Sequence, residues 1–189
     1  AAVTIDSSTE GGDITFEDST TTINGANTLT LTSGAGAIAL QGAIGTTGTG
    51  IGNLDINQSG GTGTIEVADI GDANNVGVTG TVNIGNSATT SITLDGTTYK
   101  WDGNAEFDST ATGASIKFTG VSPTVTTLSD HTLAFTTADV ELSGTTGTPS
   151  VGTTTFNAPG GLTFAGDIIA KDGMSGVESL TIETVDNNL

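Results

Sequence analysis

The chain has 189 residues, enough for one elongated or globular domain with its own core. A net charge of −18, with 21 acidic residues against three Lys (Lys100, Lys117, Lys171) and no Arg, argues strongly against nucleic acid and anionic membrane surfaces as partners. The absence of cysteine rules out a disulfide framework and a thiolate metal site, and no run of about 18 apolar residues is long enough to span a bilayer.

A short phrase recurs along the chain: one apolar residue, one small or polar residue, one apolar residue. It occurs at 3–5, 14–16, 29–31, 38–40, 54–56, 65–67, 82–84 and 92–94, then at 116–118, 133–135, 140–142, 162–164 and 180–182. Each phrase is a minimal strand with two side chains on one face and one on the other. The background is 39 Thr and 29 Gly. Thr suits strands because it is β-branched, and Gly suits tight corners. No stretch of 12 or more residues shows helical periodicity, so the chain reads as all-β.

The phrases alternate between short and long gaps. Every second phrase repeats at 26, 25 and 28 residues in one series and at 24, 27 and 27 in the other. That regularity predicts a stacked unit of about 25 residues carrying two short strands. Beyond residue 95 the spacing loosens, which reads as insertions or an irregular face. The whole of 1–189 is expected to be one elongated β-repeat domain, either a compact protein or a segment of a longer one. The first residues, Ala1-Ala2-Val3, show neither the basic nor the apolar region of a signal peptide.

Two architectures fit this pattern. The favoured one is a right-handed parallel β-helix, a β-solenoid with coils of about 25 residues. Roughly seven coils at roughly 4.8 Å each would make a stack about 35 Å long. The alternative is an antiparallel β-sandwich, for which Asn24-Gly25 and Asp95-Gly96 are the main local signals, being strong hairpin-turn pairs. The phrases are shorter and more even than sandwich strands usually are.

Asp13-Ile14-Thr15-Phe16, the run from Thr28 to Leu40, Gly52-Asn53-Leu54-Asp55-Ile56, Ile92-Thr93-Leu94-Asp95-Gly96-Thr97-Thr98-Tyr99 and Gly176-Val177-Glu178-Ser179-Leu180-Thr181-Ile182 carry a resemblance. They resemble the repeats of filamentous-haemagglutinin-like exoproteins and autotransporter passengers, which are repetitive bacterial surface proteins. The resemblance covers most of the chain, residues 13–99 best. It implies a right-handed parallel β-helix and an extracellular location. It carries over no catalytic residue.

Several clusters invite a chemical reading. Asp102, Asn104, Glu106 and Asp108 place oxygen ligands at alternate positions, as a calcium loop does. Phe107 stands where an EF-hand needs glycine and Gly113 where it needs glutamate, so the choice lies between a looser calcium site and an exposed turn and strand. The loop from Asp69 to Asn75 poses the same choice. His131, beside Asp130 and several serines, lacks the Gly-x-Ser-x-Gly elbow of a hydrolase. Paired carboxylates for glycan cleavage are not marked by any motif, and Arg is absent. Tyr99 and Trp101 share one strand face, as core residues or as an anchor for a partner. Gly45 to Gly50 lacks the Lys of a phosphate loop and reads as a linker.

The expected function is non-enzymatic: a stiff extracellular stalk or scaffold at a bacterial cell surface, structural or adhesive. The second expectation is a self-assembling subunit of a filament, sheath or surface layer, joined through open terminal strands. Expected partners are copies of itself, neighbouring repeats, and host or cell-surface glycans or proteins. No cofactor is expected apart from the calcium reading.

Overall fold

The computed structural model describes residues 1–142, 153–170 and 179–183. In chain order the strands are β1 (Val3–Asp6), β2 (Ile14–Phe16), β3 (Leu29–Thr32), β4 (Ile38–Leu40), β5 (Leu54–Ile56) and β6 (Thr64–Val67). There follow β7 (Val82–Gly85), β8 (Ser91–Leu94), β9 (Thr98–Trp101), β10 (Ala105–Ser109), β11 (Ser115–Phe118) and β12 (Thr124–Thr127). The last are β13 (Leu133–Thr137), β14 (Asp139–Leu142), β15 (Thr153–Asn157), β16 (Leu162–Phe164), β17 (Asp167–Ala170) and β18 (Ser179–Glu183). No described residue is helical.

All the strand pairings are parallel, which sets the antiparallel sandwich aside. The strands form three faces. The first is β1-β3-β5-β7-β10-β13-β16, the second β2-β4-β6-β8-β11-β14-β17, and the third β9-β12-β15-β18. The chain is therefore a three-sided β-solenoid of about six turns, repeating at roughly 26 residues. Six steps between seven strands correspond to about 29 Å of stack.

The early coils close their third side with single-residue bridges instead of strands. Ile23, Ile44, Ile70 and Tyr99 form one row, and Ile51, Val78 and Trp101 another. This explains the alternating gaps: the long gap holds the third side. The expected loosening beyond residue 95 is corrected here. The period persists, but the third side becomes real strands and Ala105-Glu106-Phe107 supplies the first-face rung. Asn24-Gly25 and Asp95-Gly96 are corners between faces, not hairpins, because their flanking strands pair with neighbouring coils.

In-register stacking turns each inward position into an apolar row. On the second face one row runs Ile14, Ile38, Ile65, Ile92, Ile116, Val140 and Ile168. From Ile38 to Val140 these side chains are at most 1% exposed. Burying each such side chain contributes about 1.5–3 kcal/mol, and each coil supplies half of its neighbour's cover. From residue 99 onward the rows become aromatic. Phe135 stacks on Phe107 and on Phe164, with ring centroids 5.2 Å apart in both pairs, and Phe118 meets Phe156 edge-on at 5.4 Å.

Corners must be as thin as the strands they join. At the corner from first to second face, a Cβ on Gly36 would stand 2.5 Å from the Gly12 backbone of the preceding coil. Only glycine lets the two corners approach that closely.

Candidate functional site

The polar cluster from Asp102 to Asp108 divides between a corner and a strand. Asp102 lies between β9 and β10, and its Oδ1 sits 3.3 Å from Nε2 of His131, one coil further on. The Asn104 side-chain oxygen accepts from the backbone N–H of Thr132 at 3.0 Å and from its hydroxyl at 3.2 Å. Glu106 and Asp108 are both on the outer side of β10, with Phe107 buried between them. Alternation separates those two carboxylates by about 7 Å along the strand. Glu106 has Asn83 and Ala134 as its register neighbours, so no carboxylate lies directly above or below it. Among the described residues, no three His, Asp or Glu side chains come together in an arrangement that could hold a metal ion.

The other candidates resolve similarly. Asp72 accepts from the backbone N–H groups of Asn74 and Asn75, both at 2.7 Å, and from the Asn75 amide at 3.1 Å. These bonds, the Asn75 side chain's first, hold its carboxyl below the usual carboxylate range. Asp69 spans to the next coil, its Oδ1 accepting from the N–H of Thr97 at 2.6 Å and of Thr98 at 2.8 Å. His131 pairs with Asp102, not with its sequence neighbour Asp130. Gly45–Gly50 links the third-side bridges at Ile44 and Ile51, as a linker would.

Tyr99 and Trp101 are wholly buried core residues. The Tyr99 hydroxyl accepts from the Gly96 N–H at 2.7 Å and donates to the Val67 carbonyl at 3.2 Å. Burial pushes the phenol's pKa well above its ordinary value.

The functional device that the motifs did not announce is a set of polar brackets at the corners. Asp13 accepts from the N–H of Ala37 at 2.8 Å, and Asn53 from that of Thr81 at 3.0 Å. With Asp69 and Asn104 they follow one rule: a short side chain reaches forward one coil to take an otherwise orphaned backbone N–H. The signal was present in the sequence, because each of the four stands immediately before an inward apolar residue: Ile14, Leu54, Ile70 or Ala105. A second set points inward where the first face turns into the second. Ser33, Asn57 and Ser109 are fully buried there, and the Ser109 hydroxyl donates to the Thr89 carbonyl at 3.1 Å.

The outer surface carries few cations. Lys117 lies 3.8 Å from Glu141 across β11 and β14, and Lys100 donates to the Ala73 carbonyl at 3.3 Å. The exposed large apolar side chains of the described residues, Val121 apart, belong to the two end coils. At the first coil Val3 is 51% and Ile5 37% exposed. They border a groove of about 190 Å³ shared with Phe16, Ile23 and Leu29. At the last coil Ile168, Leu180 and Ile182 are exposed.

No protein-family model, no curated protein and no solved structure gives a significant match to this chain.

Proposed function

We propose that the chain is a non-enzymatic structural and adhesive element of a bacterial extracellular protein, a stiff β-solenoid stalk or scaffold of the filamentous-haemagglutinin-like kind. The observation that carries this reading is the unbroken in-register pairing of seven strands on each of two faces, closed on the third side by bridges and strands. Such a stack resists bending because every coil shares backbone bonds and apolar rows with its neighbours. Its outer positions, rich in Thr with scattered carboxylates, offer hydroxyls to glycan or protein partners while the acidic surface keeps copies soluble.

Single-molecule pulling between the two ends tests the mechanical part. The stack should hold and then yield in cooperative steps; smooth extension at low force would defeat the scaffold reading. A glycan and cell-binding screen with the immobilised chain tests adhesion, with loss of binding expected when outward Thr positions are replaced by Lys.

The second reading is a self-assembling subunit of a filament, sheath or surface layer. It is favoured by the parallel in-register pairing of the described strands, because a strand edge of this kind can take a strand from another copy in the same way.

A further inference from the structure

We propose that the third face across β9, β12 and β15 is the adhesive surface of this chain, and that its partner is an extended, neutral, β-linked polysaccharide lying along the stack. The inference deepens the adhesive reading and rests on it.

Charge singles out this face. The chain carries −18, and carboxylates stand at outward positions on both other faces. Asp55, Glu106 and Asp108 do so on the first, and Glu66, Asp139 and Glu141 on the second. The outward residues of β9, β12 and β15 are Thr98 and Lys100, Thr124 and Thr126, and Thr153, Thr155 and Asn157. No other run of three neighbouring described strands lacks an outward carboxylate. The block ends at β18, where Glu183 is the register partner of Asn157.

Register orders these groups. Thr98, Thr124 and Thr155 make one row, and Lys100, Thr126 and Asn157 a second. Members of a row are about 4.8 Å apart, and the two rows are about 7 Å apart along the strands. Every position offers a hydrogen-bond donor, and all but Lys100 an acceptor as well. Lys100 donates to the Ala73 carbonyl, so the one cation is already engaged. Beneath the rows Tyr99, Trp101 and Phe156 are 0% exposed, which holds the strands in place before any ligand arrives.

The array fits a polymer. One sugar of an extended β-linked chain is close to one rung in length, so successive sugars meet successive threonines in the same way. Sugar hydroxyls pair with the Thr hydroxyls, and sugar C–H groups pack on the Thr methyl groups. An anionic glycan is repelled by the chain as a whole, and a basic polymer is drawn to the faces that carry carboxylates. No aromatic ring lies outward on these three strands, so no single sugar is held strongly. Affinity must come from repeating a weak contact along the rows.

The test sediments the full chain with particles of cellulose and of chitin. The chain should co-sediment with at least one of them, and cellobiose or chitobiose at matched sugar concentration should not release it. Thr124→Val with Thr155→Val keeps the side-chain shape and removes two hydroxyls, and binding should fall about tenfold. Thr30→Val with Thr93→Val, on the other two faces, should leave binding unchanged. Far-ultraviolet circular dichroism should be the same for every variant. Binding unaffected by T124V/T155V, equally lost in T30V/T93V, or released by a disaccharide would overturn the face and its row of contacts. A chain that ignores both polysaccharides yet binds a protein or a charged glycan would overturn the partner and leave adhesion standing. A chain that binds none of these would overturn both.

Discussion

Ser33 and Asn57, one coil apart and both fully buried, bond each other twice. The Ser33 N–H donates to Asn57 Oδ1 at 2.9 Å, and the Asn57 amide donates to the Ser33 hydroxyl at 3.3 Å. Ser33 in turn donates to the Gly36 carbonyl at 2.6 Å, which shapes the corner. The pair lets a polar turn sit inside an apolar stack with its backbone groups satisfied.

Asn57→Ala should therefore cost about 1–3 kcal/mol, because it leaves the buried Ser33 N–H without a partner. Asn57 also has a φ of 52°, a conformation that asparagine tolerates better than alanine. Urea unfolding measures the loss. An unchanged midpoint would mean that the corner does not depend on this bond.

Glycines at corners and in loops should respond differently. Gly36→Ala pushes a methyl group into the Gly12 backbone and should destabilise by about 1–3 kcal/mol. Gly48→Ala has open space around it but a φ of 79°, so its cost is conformational alone, about 1 kcal/mol. Paired thermal melts should rank G36A below G48A.

Alkaline pH should unfold the chain through Tyr99. Its phenol pKa is raised by burial, so the native state favours the neutral form. The stability this group contributes is complete below the unfolded value of about 10 and is lost as pH rises toward the higher folded value. The chain has one tyrosine, so the tyrosinate absorbance reports this residue alone. The band should stay silent near the ordinary phenol pKa and appear together with unfolding. A normal titration in the folded protein would contradict the buried hydroxyl bonded to Gly96 and Val67.

Chelation should leave the melting temperature unchanged. Asn104 already spends its amide oxygen on Thr132, and Asp102 sits beside His131. A fall in melting temperature with EDTA that calcium reverses would restore the cation reading of Asp102, Glu106 and Asp108.

Much of the fold was legible because strand phrases have a period of two and coils repeat near 26 residues. The third side was not, for physical reasons. In the early coils it is held by single bridges at residues such as Ile44 and Ile70, too short to leave an alternating pattern. In β12 and β15 the outward positions other than Asn157 are Thr, and so is one inward position in each, Thr127 and Thr154, so hydrophobic contrast is lost. The polar cluster at Asp102–Asp108 looked like a ligand set because sequence spacing does not tell a corner from a strand. Asp102 and Asn104 serve the corner, while Glu106 and Asp108 ride on β10. The Asp or Asn preceding the apolar residue, at Asp13, Asn53, Asp69 and Asn104, was visible, but its role emerges only once the next coil supplies the N–H.

The most direct test of the in-register stack is an intramolecular disulfide scan at high dilution. Glu106 and Ala134 are outward register partners on β10 and β13. Cysteines there stand about 4.8 Å apart, within disulfide reach. Cysteines at positions 106 and 163 lie two coils apart, about 10 Å, beyond that reach. E106C/A134C should oxidise readily and raise the melting temperature, while E106C/T163C stays reduced. A reduced first pair, or an oxidised second pair, would contradict the coil register on which the whole account rests.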